Sequence, residues 1–148
     1  MRIDSRKNWE MRPFNISLND FEENYQGVTV TLGETKVICY AFKKPSEQSE
    51  LTVTFQVLPF ATKNRQEGKE NKDWEKSLKK IFSSYEKAHT SLFLDCVVIK
   101  DRGSSQDLSV AGGSVALSLL LQETTLLGSI NCGLMQGEIF CDLSSEEE

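Results

Sequence analysis

The 148-residue chain is 39% hydrophobic and 26% charged, enough apolar content for one core in one domain spanning residues 1–148. Its net charge of −5 argues against a free-standing nucleic-acid binder, so any RNA contact falls to a local basic patch or to a partner. No apolar run reaches the ~20 residues that cross a bilayer. The charged start "MRIDSRKNWEMRPF" lacks the pattern of a secretory signal, so no membrane partner is expected.

In "GVTVTLGETKVICYAF", Val28, Val30 and Leu32 alternate with Thr29 and Thr31, which predicts a half-buried strand. Gly33 suits the tight turn that follows, because glycine takes a positive φ without a Cβ clash. The return strand, residues 36–42, is apolar on both faces and should lie deeper in the sheet. "KKPSEQSE" reads as a polar loop. "LTVTFQVL" alternates again, giving three strands expected in meander order, and Pro59 ends the third. Residues 61–72 have no apolar period and read as an exposed, mobile loop.

A helix is expected from a cap at Asn71 or Asp73. Trp74, Leu78, Ile81, Phe82 and Tyr85 fall on one stripe of it, and its end is expected near His89. "SLFLDCVVI" predicts a buried strand. "LSVAGGSVALSLLLQETTLLG" predicts a second helix, apolar around most of its circumference. Gly112 and Gly113 inside it each cost about 1 kcal/mol against alanine; close approach to the sheet accounts for them better than an anion site. "SINCGLMQGEIFCDL" predicts a closing hairpin, and "SSEEE" a solvated tail. The order β-β-β-α-β-α-β-β is an α+β, mixed α/β plan with the helices on one side of a sheet.

No Walker loop, dinucleotide fingerprint, nucleophile elbow or zinc-protease motif occurs. His89 reads as a helix-end histidine rather than a catalytic base. Cys39, Cys96, Cys132 and Cys141 form no C-x-x-C pair, each lies in a strand-like run, and all four read as reduced, buried small hydrophobes. Neither a metal nor a cofactor is expected. Asp142 stands apart, because it closes an apolar strand where a carboxylate at the sheet edge could face a site.

Four stretches, in order, resemble the RNase PH family. The start matches that family's R-x-D-G-R-x-x-x-E-x-R-P at Arg2, Asp4, Arg6, Glu10, Arg12 and Pro13, with Ser5 at the glycine position. The first hairpin matches its G-x-T-x-V at Gly33, Thr35 and Val37. "AGGSVALSLL" is similar to its small-residue helix. "MQGEIFCDLSSEEE" is similar to its closing G-x-(I/V)-x-x-D-L-x-x-E-E-D through Gly137, Ile139, Asp142, Leu143, Glu146 and Glu147. The resemblance implies the RNase PH fold, of the ribosomal protein S5 domain 2-like type, shortened by a C-terminal strand and helix. It also implies 3′-to-5′ RNA processing and degradation in the nucleus and cytoplasm. The implied partners are other RNase PH-like exosome subunits in a hetero-oligomeric ring, cap subunits, and RNA in the ring channel.

Active family members carry G-G-T-R before the second helix to hold phosphate. Here Ser104 stands for the threonine and Ser105 for the arginine, and a serine offers no cationic fork. With the last carboxylates on a chain end expected to fray, Asp142 and Ser104 read as vestigial catalytic candidates. The chain is expected to be a non-catalytic ring subunit, not an enzyme. The alternatives are an active phosphate-dependent 3′-5′ exoribonuclease or an unrelated small α+β binding module. Lys63, Arg65 and Lys69 are the expected RNA contacts, made to phosphates because no aromatic residue in the loop can stack on a base.

Overall fold

A computed structural model describes residues 2–63 and 69–147, except for the side chains of Asp20, Lys69 and Glu70. Among the described residues, eight strands and two α-helices run in the order β1 (Phe14–Glu22), β2 (Tyr25–Leu32), β3 (Thr35–Pro45), β4 (Glu50–Val57), β5 (Lys69–Glu70), α1 (Lys72–Ile81), β6 (Thr90–Lys100), α2 (Ser105–Leu121), β7 (Cys132–Met135) and β8 (Glu138–Cys141). Six strands form a mixed sheet in the order β1-β2-β3-β6-β4-β5, and β7 and β8 form a separate hairpin.

The three predicted strands are present, but their meander is not. β6 lies between β3 and β4, antiparallel to the first and parallel to the second. A parallel neighbour requires a crossover, and α1 provides it. β1, absent from the predicted order, pairs with β2 at the sheet edge, and two-residue β5 pairs with β4.

One sheet face is apolar. Val28, Val30, Val37, Cys39, Leu51, Phe55, Leu94, Cys96 and Val98 are buried there, and the helices close over them with Leu78, Phe82, Leu108, Ala116, Leu117 and Leu120. Full burial of each large side chain contributes roughly 1.5–3 kcal/mol. β3 is central as expected, yet only its helix-facing side is buried; Phe42 on the other side is exposed.

Asn71 caps α1, its side-chain oxygen accepting the Trp74 N–H at 3.0 Å. Trp74 Nε1 donates to Ser109 Oγ at 3.0 Å and joins the two helices. The helix ends at Ile81, earlier than the apolar stripe implied, and Tyr85 reaches the core from a single tighter turn, Ser83–Tyr85. His89 is therefore not a helix-end residue. It is exposed in the following turn at φ 56°.

α2 is buried on most sides, as its composition requires. A Cβ on Gly112 would lie 2.7 Å from Val30 Cγ2 and 2.8 Å from Cys39 Sγ, and one on Gly113 would lie 2.9 Å from Leu94 Cδ2 and from Phe82 Cζ. Both glycines are contact points of helix and sheet. Gly112→Ala gains about 1 kcal/mol of helix propensity but overpacks a β-branched neighbour, at a cost of about 1–3 kcal/mol. The expected result is a lower urea midpoint with an unchanged slope.

The cysteines divide unexpectedly. Cys39 and Cys96 are buried, whereas Cys132 is exposed and Cys141 half-buried. The hairpin that carries the second pair lies outside the main sheet, where strand-like apolar runs are covered on one side at most.

Candidate functional site

The arginine-rich start is a strap. Ser5 turns the chain at φ 62°, which explains why glycine suits that position, and the strap then runs along the end of β8. The Cys141 N–H donates to the Asn8 carbonyl at 2.7 Å. Arg2, Arg6 and Arg12 converge on Asp142, which has no exposed surface. Arg12 donates to its carboxylate from Nη2 at 2.7 Å, from Nε at 3.0 Å and from its own backbone N–H at 2.7 Å. Arg6 Nη1 adds a bond of 2.9 Å, and Ser104 Oγ donates at 3.1 Å. Arg2 Nη2 donates to the Asp142 carbonyl at 2.6 Å.

The tail is not solvated as its composition implied. Glu147 accepts two bonds from Arg2, at 3.0 and 2.9 Å, and its side chain is 3% exposed. Glu146 pairs with Lys63. Glu148 lies outside the described residues. Two opposed ends of the chain, each unremarkable alone, neutralise each other here.

Burial pushes the Asp142 carboxyl up, but the side-chain and backbone hydrogen bonds of Arg12, with that of Ser104, outweigh it and hold the group below its ordinary value. The hydrogen bond from Arg2 lowers Glu147 from 4.5 to about 2. A carboxyl with a depressed folded-state pKa contributes stability above its unfolded value and loses it as pH falls through the folded one. The urea midpoint should therefore fall between about pH 4.5 and 2, and Glu147→Gln should flatten that fall.

Beside this cluster, at the start of α2, a polar cleft of about 700 Å³ opens, lined among others by Thr62, Lys63, Arg102, Ser105, Gln106 and Asn131. Ser104, the residue before the helix, takes φ 66° and makes no side-chain cap; its hydroxyl turns inward to Asp142. Ser105 and Gln106 of the first helical turn thus line the cleft with no side-chain cap from Ser104. Ser105 does not offer its hydroxyl freely either, since it donates to Asp101 Oδ2 at 2.9 Å. Asp101 Oδ1 also accepts the Gly103 N–H at 2.9 Å. The cations of the cleft are Lys63, which is exposed, and Arg102, whose Nη1 is held by the Asp101 carbonyl at 2.8 Å.

The predicted site residues thus separate. Asp142 and Ser104 sit together in a buried ion-pair cluster, not at an open edge facing substrate. Lys63 reaches the cleft. Arg65 lies outside the described residues, and so does the Lys69 side chain, although the Lys69 backbone pairs with Val57 in β5. Arg102, three positions before Ser105, lines the same cleft. Its sequence signal was visible; the fold of the Arg102–Ser105 turn was not.

The model of the 3′ exoribonuclease family, domain 1, matches residues 10–120. The chain belongs to the RNase PH family. It is 29% identical to the Ribonuclease PH of Crocosphaera subtropica, over 99% of this chain and 74% of that protein. It is 29% identical to the Ribonuclease PH of Halalkalibacterium halodurans, over 88% of this chain and 58% of that protein. Among solved structures it is similar to rice (Oryza sativa) Rrp46, with a TM-score of 0.80 and 22% identity over 99% of this chain and 73% of that one. It is also similar to an Archaeoglobus fulgidus exosome subunit, from a structure with RNA bound to the active site, with a TM-score of 0.75 and 19% identity over 99% and 72%. The mixed sheet with two helices is the RNase PH fold.

The expectation that this RNase PH-family chain is not an enzyme is corrected by these relatives, both of them Ribonucleases PH. Its two structural grounds weaken as well. The cleft keeps two cations despite Ser105, and the Glu147 carboxylate is held by Arg2 rather than frayed.

Proposed function

We propose that the chain is an RNase PH-type subunit of an exosome-like hetero-oligomeric ring, and that the cleft at the start of α2 holds phosphate in 3′-to-5′ RNA phosphorolysis. The observation that carries this reading is the meeting of Lys63, Arg102 and the first turn of α2 at one cleft, which Asp101 and Asp107 also line. The two cations and the helix start favour an anion through hydrogen bonds and the helix dipole together. In the reaction, a phosphate oxygen attacks the terminal phosphodiester phosphorus and the bond to the 3′ oxygen breaks. A nucleoside diphosphate leaves, and the shortened RNA takes a proton on its new 3′ hydroxyl. The Asp142 cluster touches neither reactant; it fixes the Arg102–Ser105 turn, because Arg12 also donates to the carbonyls of Arg102 at 2.8 Å and Gly103 at 3.2 Å.

Ring neighbours fit the exposed apolar side chains Phe14, Ile16, Leu18 and Phe21 on edge strand β1, since an uncovered edge strand is a ready pairing surface. Lys63 at the cleft, and Arg65 and Lys69 from the same stretch of sequence, are the proposed contacts for RNA phosphates. The test is an assembly of this chain with its partners, given RNA labelled at the 3′ end. Nucleoside diphosphate should appear only with inorganic phosphate present. Nucleoside monophosphate, or no dependence on phosphate, would overturn the reading.

A further inference from the structure

The β7–β8 hairpin sets Cys132 opposite Cys141. Its turn consists of Gln136 and Gly137, both at positive φ (52° and 82°), the two-residue form that suits a right-twisted hairpin. Met135 and Glu138 close that turn as a hydrogen-bonded pair, and bonded and non-bonded pairs alternate from there. Cys132–Cys141 is therefore a non-bonded pair. Consistent with this, the Cys141 N–H donates outward to Asn8, and the next bonded step is Asp142 N–H to the Asn131 carbonyl at 2.8 Å. Cα atoms of such pairs approach to about 4.5 Å, inside the range a disulfide spans. The two sulfurs lie 3.4 Å apart, both as free thiols.

We propose that Cys132 and Cys141 form a reversible dithiol–disulfide site, oxidised by low-molecular-weight disulfides of the glutathione type. Exposed Cys132 is the entry point. Its thiolate attacks one sulfur of the small disulfide, that S–S bond breaks, and a small thiolate leaves. The Cys141 thiolate then attacks the Cys132 sulfur, closing the protein disulfide and expelling the second small thiolate. The protein loses two electrons and two protons, and the small disulfide becomes two thiols. A second cross-strand pair in the same fold makes the selectivity clear. Cys39 and Cys96 are also register partners with sulfurs 3.6 Å apart, but both are fully buried and out of reach of the reagent.

The test is incubation of the reduced full chain with oxidised and reduced glutathione in varied ratio, acid quenching, alkylation after unfolding, and intact-mass and peptide analysis. The expected result is a loss of two hydrogens from the mass, a drop from four alkylated cysteines to two, and one cross-linked peptide pair joining Cys132 to Cys141. Excess reductant should restore all four. Cys132→Ser should abolish the internal link, and Cys39→Ser should leave it intact. Four alkylated cysteines at every ratio, a lasting glutathione adduct on Cys132 beside a free Cys141, or a Cys39–Cys96 link forming first would each overturn the proposal.

Discussion

Asp142→Asn should lower the unfolding free energy by about 3–5 kcal/mol, because breaking a buried ion pair leaves the remaining charge uncompensated. Arg12 is 9% exposed and Arg2 4%, so neither guanidinium can turn to water without moving the strap. The asparagine keeps the shape but offers one carbonyl where the carboxylate received three bonds from Arg12 and one each from Arg6 and Ser104. The loss should extend beyond stability. Arg12 and Ser104 join the cluster to the Arg102–Ser105 turn, so hydrogen exchange at the start of α2 should rise with the strap's. Urea denaturation of the isolated chain measures the first effect. A change below 1 kcal/mol would mean that the strap is held by something other than this carboxylate.

The second large effect is kinetic. Each charge-assisted hydrogen bond to an anion contributes about 1.5–3 kcal/mol. Replacing both Lys63 and Arg102 by alanine should therefore raise the KM for phosphate of the assembled ring on the order of a hundredfold. Stability should change less, because Lys63 is exposed, its partner Glu146 is half-exposed, and the hydrogen bonds Arg102 gives up are those to the Asp101 and Ala61 carbonyls. Rates at saturating phosphate should recover more than rates at limiting phosphate. Equal losses at both would assign the two cations to RNA or to assembly instead.

Much of the fold was legible in the chain. Alternation marked β2 and β4, the period of α1 and the near-continuous apolarity of α2 were plain, and Gly33 announced its turn. β1 carries the same signal, since Phe14, Ile16 and Leu18 alternate with Asn15, Ser17 and Asn19, but its apolar residues stay exposed at the edge and no turn motif brackets them. Strand order was not legible. A short loop from β3 to β4 suggests a hairpin, and only the pairing of β6 with both shows that it is not one. Nor was the charge network, because its arginines sit 130 and more residues from the carboxylates Asp142 and Glu147. Arg2 and Glu147 look like opposite solvated ends until the fold closes.

For the site, the sequence singled out Asp142, Ser104 and Lys63 but not which of them the fold brings together. Asp142 matched a family motif and read as a vestigial catalytic candidate, and the fold surrounds it with Arg2, Arg6 and Arg12. Ser105 read as the loss of a cationic anchor, because a motif compares positions one by one, whereas a cleft collects charge from any element that reaches it. Lys63 arrives after β4, and Arg102 from the end of β6.

Central to the proposed function is binding of inorganic phosphate in the cleft at the start of α2. Titration calorimetry of phosphate into the assembled ring, with this chain either wild type or carrying Lys63→Ala and Arg102→Ala, tests it directly. A binding event is expected whose affinity falls at least tenfold in the variant. An undiminished affinity, with the variant assembled and folded, would contradict it.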